Sequence, residues 1–241
     1  MEKGKGIYEF NSRVRYSEID HHGTMTLPAL INYFQDCSTF QSEDIGLGTS
    51  VLKEQKRAWI LSYWQIIVKR YPRLCERMTV GTFATEFKAL FGNRNFYMKD
   101  DEGEMLACAH SIWVFINTET GRPCRPEARD IEPYGMSEPL DMPYEDRKIK
   151  LPETTEDLEA FQVQKHHIDT NEHVNNCQYV QMAMEMIDKE RMIRQVRVEY
   201  KKSAVLGDMI VPRIGERDDR TVVELCTTDG ELYAAVEFAW A

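Results

Sequence analysis

The sequence predicts an α+β protein of two tandem units, each a curved antiparallel β-sheet wrapped around a long central α-helix. Three observations predict it. An order of strand, polar loop, apolar helix and strand meander runs through the chain twice. The second helix, residues 177–187, is apolar nearly all round. Val180, Ala183, Met184 and Ile187 recur at helical spacing while Tyr179, Met182 and Met186 fill the neighbouring faces, so a sheet must cover most of its sides. The other apolar runs are short, rich in aromatic and β-branched residues, and broken by polar turns.

The segment from Arg13 to Tyr16 opens the first unit. Thr26 is placed to cap a helix, Pro28 suits its first turn, and Leu27, Leu30, Ile31, Phe34 and Cys37 form its apolar face; Gly46 or Gly48 ends it. Residues 59–71 predict a long strand interrupted by Pro72. Strands follow near 78–87, 95–99 and 104–116, with turns at Gly92 and at 100–103. Residues 121–152 then hold six prolines, many charges and little apolar periodicity, which predicts an interdomain connection. The expected division is therefore 1–135, a linker at 136–156, and 157–241. The second unit has a strand around Val163, a loop over 166–175, the apolar helix, and strands near 195–201, 208–216, 221–227 and 231–240.

The two units align as a divergent internal repeat. Val14 matches Val163 and Asp20 matches Asp169 at one constant offset. Beyond the helix the expected matches are Met78 with Met209 and Val80 with Val211, and at the last hairpin Gly103-Glu104 with Gly230-Glu231. The repeat also ranks the two loops. His22 stands where Asn171 does and Thr24 where His173 does, so only the second unit carries the full polar set and one site per chain is expected. The first unit, with Trp59, Trp64, Phe34 and Phe40, has the bulk to line an apolar pocket.

With 241 residues and 42% hydrophobic composition, the chain can bury a sizeable core. Thirty basic against forty acidic residues give a net charge of −10, which argues against non-specific nucleic-acid binding. No stretch approaches the roughly 20 apolar residues needed to span a bilayer. The opening MEKGKGIYEF lacks the apolar core of a signal peptide, so the expected location is cytoplasmic, without stable membrane insertion. The cysteines at 37, 75, 108, 124, 177 and 226 form no CxxC pair, as expected of reduced thiols.

Chemistry is expected at the loop before the second helix. A helix start leaves backbone N–H groups without intrahelical partners and adds partial positive charge, so Val174, Asn175 and Asn176 are candidate donors to a developing oxyanion. Asp169, Asn171 and His173 alternate, and in an extended loop all three side chains face one side. A metal set of His166, His167, Asp169 and His173 is the rival reading, although its spacing matches no strong metal signature.

The run Asp169-Thr-Asn-Glu-His-Val-Asn-Asn176, followed by Tyr179, is similar to the D-x-N-x-H-V-N-N-x-x-Y signature of the acyl-acyl-carrier-protein (acyl-ACP) thioesterases, bacterial relatives of the plant fatty-acid chain-terminating enzymes. Residues 59–65, 13–20 and 198–202 add support, and the resemblance covers almost the full length. It implies two tandem hotdog folds. It also implies hydrolysis of fatty acyl-ACP to free fatty acid and holo-ACP, with Asp169, Asn171 and His173 as the catalytic set and no cofactor beyond the substrate's own phosphopantetheine. The carboxylate would act on water or attack the thioester carbonyl directly. The family's Glu-Cys pair is replaced by Ser203 and Ala204, leaving Ser203 to hydrogen-bond water; Cys177 stands elsewhere and reads as a helix residue. Lys69, Arg70, Arg73, Lys201 and Lys202 are candidate contacts for the acidic carrier. The rival functions are an acyl-CoA thioesterase, a non-hydrolytic acyl-binding module and a dehydratase, and the chain is expected to be a monomer or homodimer.

Overall fold

A computed structural model of the chain describes residues 6–187 and 191–241. The N-terminal decapeptide lies only partly within them. Two compact units result, one of residues 1–62 and 68–144, the other of 63–67 and 145–241.

The first unit contains β1 (Tyr8–Arg13), α1 (Leu27–Asp44), α2 (Thr49–Glu54), most of β2 (Arg57–Val68), β3 (Arg77–Lys88), β4 (Phe91–Asp100), β5 (Met105–Asn117), the short β6 (Arg122–Pro123) and α3 (Ala128–Ile131). Its sheet runs β1-β3-β4-β5-β2, and the register is antiparallel wherever two of these strands lie side by side in β1–β3, β3–β4 and β4–β5. Helix α1 packs against β1 and β3. Its start follows the expectation, since the Thr26 side chain accepts the Ala29 N–H and Pro28 sits in the first turn. Leu27, Leu30, Ile31, Phe34 and Cys37 are all buried, and Gly46 takes the left-handed turn just beyond the helix.

The second unit contains residues 63–67 of β2, then β7 (Glu156–Asp157), β8 (Phe161–Gln162), α4 (Asn176–Met184), β9 (Ile193–Tyr200), β10 (Met209–Arg217), β11 (Arg220–Cys226) and β12 (Leu232–Trp240). The segment 63–67 pairs with β9, and the order continues β12-β11-β10-β7, antiparallel throughout. Helix α4 packs on β11 and β12 and ends at Met184, three residues before the expected end. Each unit is a hotdog: one antiparallel sheet around one principal helix, long in the first and nine residues in the second.

Four expectations need correction. The β3–β4 turn lies at Ala89-Leu90, with Ala89 at φ 55°, not at Gly92, which is inside β4 opposite Phe87. Polar turn residues are absent there, so the composition signal pointed to the wrong place. The segment 136–156 is not a spacer. Leu140 N–H and the Tyr144 hydroxyl both donate to Asn95 Oδ1 in the first unit, while Ile149 is buried in the second and its N–H donates to Glu199. Most of its residues, Pro139 and Pro143 included, are exposed, but Met142 and Ile149 are buried and anchor it. Of the aromatics expected to line a pocket in the first unit, Trp64 falls in the segment that groups with the second unit, and Phe40 is exposed.

The fourth correction concerns the repeat. Cys75 N–H donates to Val14 C=O and Gly207 N–H to Val163 C=O; Val14 N–H donates to Glu76 C=O and Val163 N–H to Asp208 C=O. Ser12 pairs with Met78 as Phe161 pairs with Ile210. Met78 therefore corresponds to Ile210, one residue beyond the expected Met209. Burial gives the reason: Met78 and Ile210 are 1% and 0% exposed, whereas Met209 is 38% exposed. Side chains alternate along a strand, and a slip of one residue exchanges the two faces. The last hairpin keeps the expected match, with Gly103 and Gly230 both left-handed at φ 84° and 86°.

Candidate active site

The loop before α4 is a closed turn. Asp169 N–H donates to His173 C=O at 2.8 Å and Glu172 N–H to Asp169 C=O at 3.1 Å, while Ile168 and Val174 bridge its ends. The expected extended conformation is thus replaced by a compact one. Asp169 provides the reason. Its Oδ1 accepts the N–H of Asn171 at 2.8 Å and that of His173 at 3.4 Å, folding the backbone around the carboxylate. Asp169 and His173 are half-buried and Asn171 is exposed. Among the described residues no hydrogen bond joins the three side chains directly, and Asp169 Oδ2 has no partner.

The first unit repeats this turn. Asp20 N–H donates to Thr24 C=O, Gly23 N–H to Asp20 C=O, and Asp20 Oδ1 accepts the N–H of His22 and Thr24 at 2.9 and 3.0 Å. An aspartate at this place therefore has a structural task wherever it occurs. The position next to the turn differs: Gly23 sits at φ 75° where the second unit has Glu172 at φ 62°. A left-handed conformation costs a non-glycine residue roughly 1–2 kcal/mol, against roughly 0.5–1 kcal/mol for the extra chain entropy of glycine. Glu172→Gly is thus expected to keep stability within about 1 kcal/mol of the wild type, while Glu172→Val destabilises by more than that; paired urea titrations check the order.

At the start of α4 the Asn175 side chain caps the Cys177 N–H at 2.9 Å and its carbonyl takes the Gln178 N–H. Two of the three amides expected to face an oxyanion are already engaged. Val174 N–H donates to Ala204 C=O and Asn175 N–H to His167 C=O, both at 2.9 Å, because the segment 203–208 (here the strap, matched by 71–76 in the first unit) and the preceding turn pack against this loop. Asn176 N–H has no partner among the described residues. Cys177 is buried, and burial pushes its thiol up to about 12, which keeps it protonated.

Two tyrosines hold this region from below. Tyr179 of α4 accepts the Ala204 N–H on its hydroxyl at 2.8 Å, and Tyr200 of β9 donates to Asn176 C=O at 3.0 Å; their rings meet edge to face at 5.8 Å. Burial raises Tyr179 to about 12 against the opposing hydrogen bond from Ala204 N–H, with Tyr233, Asp208 and Asp169 adding to the rise, so the phenol keeps its proton at neutral pH. In the sequence Tyr179 stands out only as a motif position and a filler of the helix face. The signal that pointed further was the replacement of Pro72, at the equivalent place in the first unit, by Ala204, which brings a backbone N–H that needs an acceptor.

Comparison with known proteins decides the family. The acyl-ACP thioesterase N-terminal domain matches residues 5–134 and the acyl-ACP thioesterase C-terminal domain matches residues 151–241. The chain belongs to the acyl-ACP thioesterase family. Among similar proteins, the palmitoyl-acyl carrier protein thioesterase of Cuphea hookeriana is 26% identical over 213 residues, covering 81% of this chain and 51% of its own. The chain thus spans about half the length of the curated relatives it matches. In fold it is similar to the crystal structure of an acyl-ACP thioesterase from Bacteroides thetaiotaomicron, with a TM-score of 0.88 at 23% identity over 98% of both chains. The 12:0-ACP thioesterase from Umbellularia californica gives 0.87 at 18% identity, covering 99% of this chain and 98% of that one.

Ser203 is exposed at the start of the strap. Arg70 is tied to Glu76 at 2.6 and 3.0 Å and to Asp100 at 3.1 Å, Lys202 to Glu231 at 2.7 Å, and Lys201 to Glu199. Lys69 and Arg73 are exposed and carry no ion pair among the described residues. His167 Nδ1 accepts the Gln164 N–H at 2.9 Å, which places its proton on Nε2, and burial with the neighbouring His166 lowers its pKa. Among the described residues no group of three or more His, Cys, Asp or Glu is placed to hold a metal ion. No described helix is long and apolar enough to cross a membrane.

Proposed function

We propose that the chain hydrolyses the thioester of fatty acyl-ACP, releasing free fatty acid and holo-ACP and so ending chain elongation. The observation that carries this reading is the match of both family domains, joined to a motif turn whose Asp169 keeps one carboxylate oxygen without a partner. Oδ1 holds the turn, and Oδ2 is the oxygen available to take a proton from water or to attack the carbonyl carbon. Asn171 and His173 orient the reacting groups, and the Asn176 N–H receives the developing oxyanion. The acyl chain enters the first unit. The acidic carrier is met by Lys69 and Arg73, whose charges have no ion-pair partner among the described residues, rather than by Arg70, Lys201 and Lys202, whose charges already face carboxylates. The reaction needs no cofactor and takes place in the cytoplasm.

The test is thiol release from medium- and long-chain acyl-ACPs, with matched acyl-CoAs, by wild type and Asn176→Pro. Proline at the first helical position removes the amide without disturbing the helix, and Asn175, at φ −60° and ψ 142°, already has the extended conformation that a following proline requires. Loss of one oxyanion donor is expected to lower kcat by about 10²–10³-fold. Asn176→Ala, which keeps the amide, is expected to stay near the wild type. Release from acyl-CoA alone would replace the carrier assignment. No release from either would leave an acyl-binding module or a dehydratase.

A further inference from the structure

The two units solve one local problem in different ways. In each, a strap carbonyl receives the first amide beyond the motif turn: Met25 N–H donates to Pro72 C=O at 2.8 Å, and Val174 N–H to Ala204 C=O at 2.9 Å. In each, the next strap residue bridges the turn, Arg73 with Thr24 and Val205 with His173. Pro72 has no N–H, and the helix residue at the equivalent of Tyr179 is the buried Leu30. Ala204 is fully buried and does have an N–H, which the Tyr179 hydroxyl accepts. A buried amide without an acceptor is strongly disfavoured, so the strap would shift to find water if that hydroxyl were lost.

We propose that Tyr179 is a positioning residue of the active site: by accepting the Ala204 N–H, its hydroxyl fixes the strap that holds Val174 and, through Val205, the backbone of His173. The inference rests on the hydrolase reading above for its kinetic consequence, and on geometry alone for its structural one. The pair Tyr179 and Ala204 does in the second unit what Leu30 and Pro72 do in the first. Proline at 204 should therefore make the phenol hydroxyl dispensable. Its backbone setting is already shared, since residues 71–76 and 203–208 have the same sequence of coil, bridge and turn.

The experiment compares wild type, Tyr179→Phe, Ala204→Pro and the double variant in acyl-ACP hydrolysis, with amide hydrogen exchange of the Val174 and Ala204 N–H groups. Tyr179→Phe is expected to lower kcat about 10- to 100-fold, as small misplacements of reacting groups do, with KM moved less than about threefold, and to speed exchange at both amides. Adding Ala204→Pro is expected to restore kcat to within about threefold of the wild type and to slow exchange again at Val174. Unchanged exchange in Tyr179→Phe would overturn the proposal whatever the activity. So would a folded double variant as slow as Tyr179→Phe, which would give the phenol a direct part in the chemistry. A wild type that hydrolyses no thioester would sink the functional reading only, because the exchange arm still tests the strap.

Discussion

Asp169→Asn is expected to lower kcat by about 10²–10⁴-fold, the usual contribution of a general base, while leaving the fold intact. The amide substitution keeps an oxygen to accept the N–H groups of Asn171 and His173, so the turn closes as before, but it removes the charge that would draw a proton from water or attack the carbonyl. Asp169→Ala removes both functions, and its loss of activity by itself would not say which mattered. The first unit supplies the control. Asp20 makes the same two hydrogen bonds in a turn without the matching amide and imidazole, so Asp20→Ala should destabilise about as much as Asp169→Ala while hydrolysis per folded molecule stays near the wild type. Equal kinetic losses in the two alanine variants, with Asp169→Asn fully active, would reduce Asp169 to a turn residue and move the chemistry elsewhere.

The repeat was legible in the sequence because both turns need an aspartate and both helices need a polar cap, and such local requirements leave residues at fixed spacing. Thr26 and Asn175 cap their helices as the alignment implies. What lay beyond the helix was harder to read. Met78 and Met209 looked equivalent because they are the same residue type, yet only burial distinguishes a core face from a solvent face, and burial depends on what packs above the strand. The engagement of the Val174 and Asn175 amides is invisible in the sequence for a similar reason. A helix start has free N–H groups in isolation, but here a strap and a preceding turn, distant in sequence or hidden by conformation, had already taken two of them. The proline-rich stretch misled in the opposite direction, since composition reports what a segment cannot form and is silent about what its side chains grip.

That grip underlies the largest stability effect expected: Glu237→Leu should destabilise the second unit by about 3–5 kcal/mol, the cost of leaving a buried charge without its partner. Glu237 is buried in β12 and accepts from Arg197 at 2.8 Å and from Arg220 at 2.6 Å. Glu145, from the stretch read as a linker, faces the same two arginines at 3.0 and 2.7 Å, and Arg197 also donates to the Tyr63 hydroxyl at 3.1 Å. Two guanidinium groups against two carboxylates are balanced; removing one carboxylate leaves a net positive charge beneath the sheet. The double variant Arg197→Met with Glu237→Leu restores balance, because Arg220 and Glu145 keep their own two-point contact at 2.7 and 2.9 Å, and it should recover most of the loss. Acid should act on the same network. Burial raises the Glu145 pKa, but Arg220, Gln195 and Arg197 outweigh it and hold the carboxyl below its ordinary 4.5. A depressed folded value means that its contribution is complete above pH 4.5 and fades as pH falls through the folded value, so the wild type should lose stability on acidification through that range. Urea titrations of the three proteins, the wild type followed also down the acid limb, test both claims; a single variant costing under about 1 kcal/mol would mean that water reaches these arginines and the network is not buried in solution.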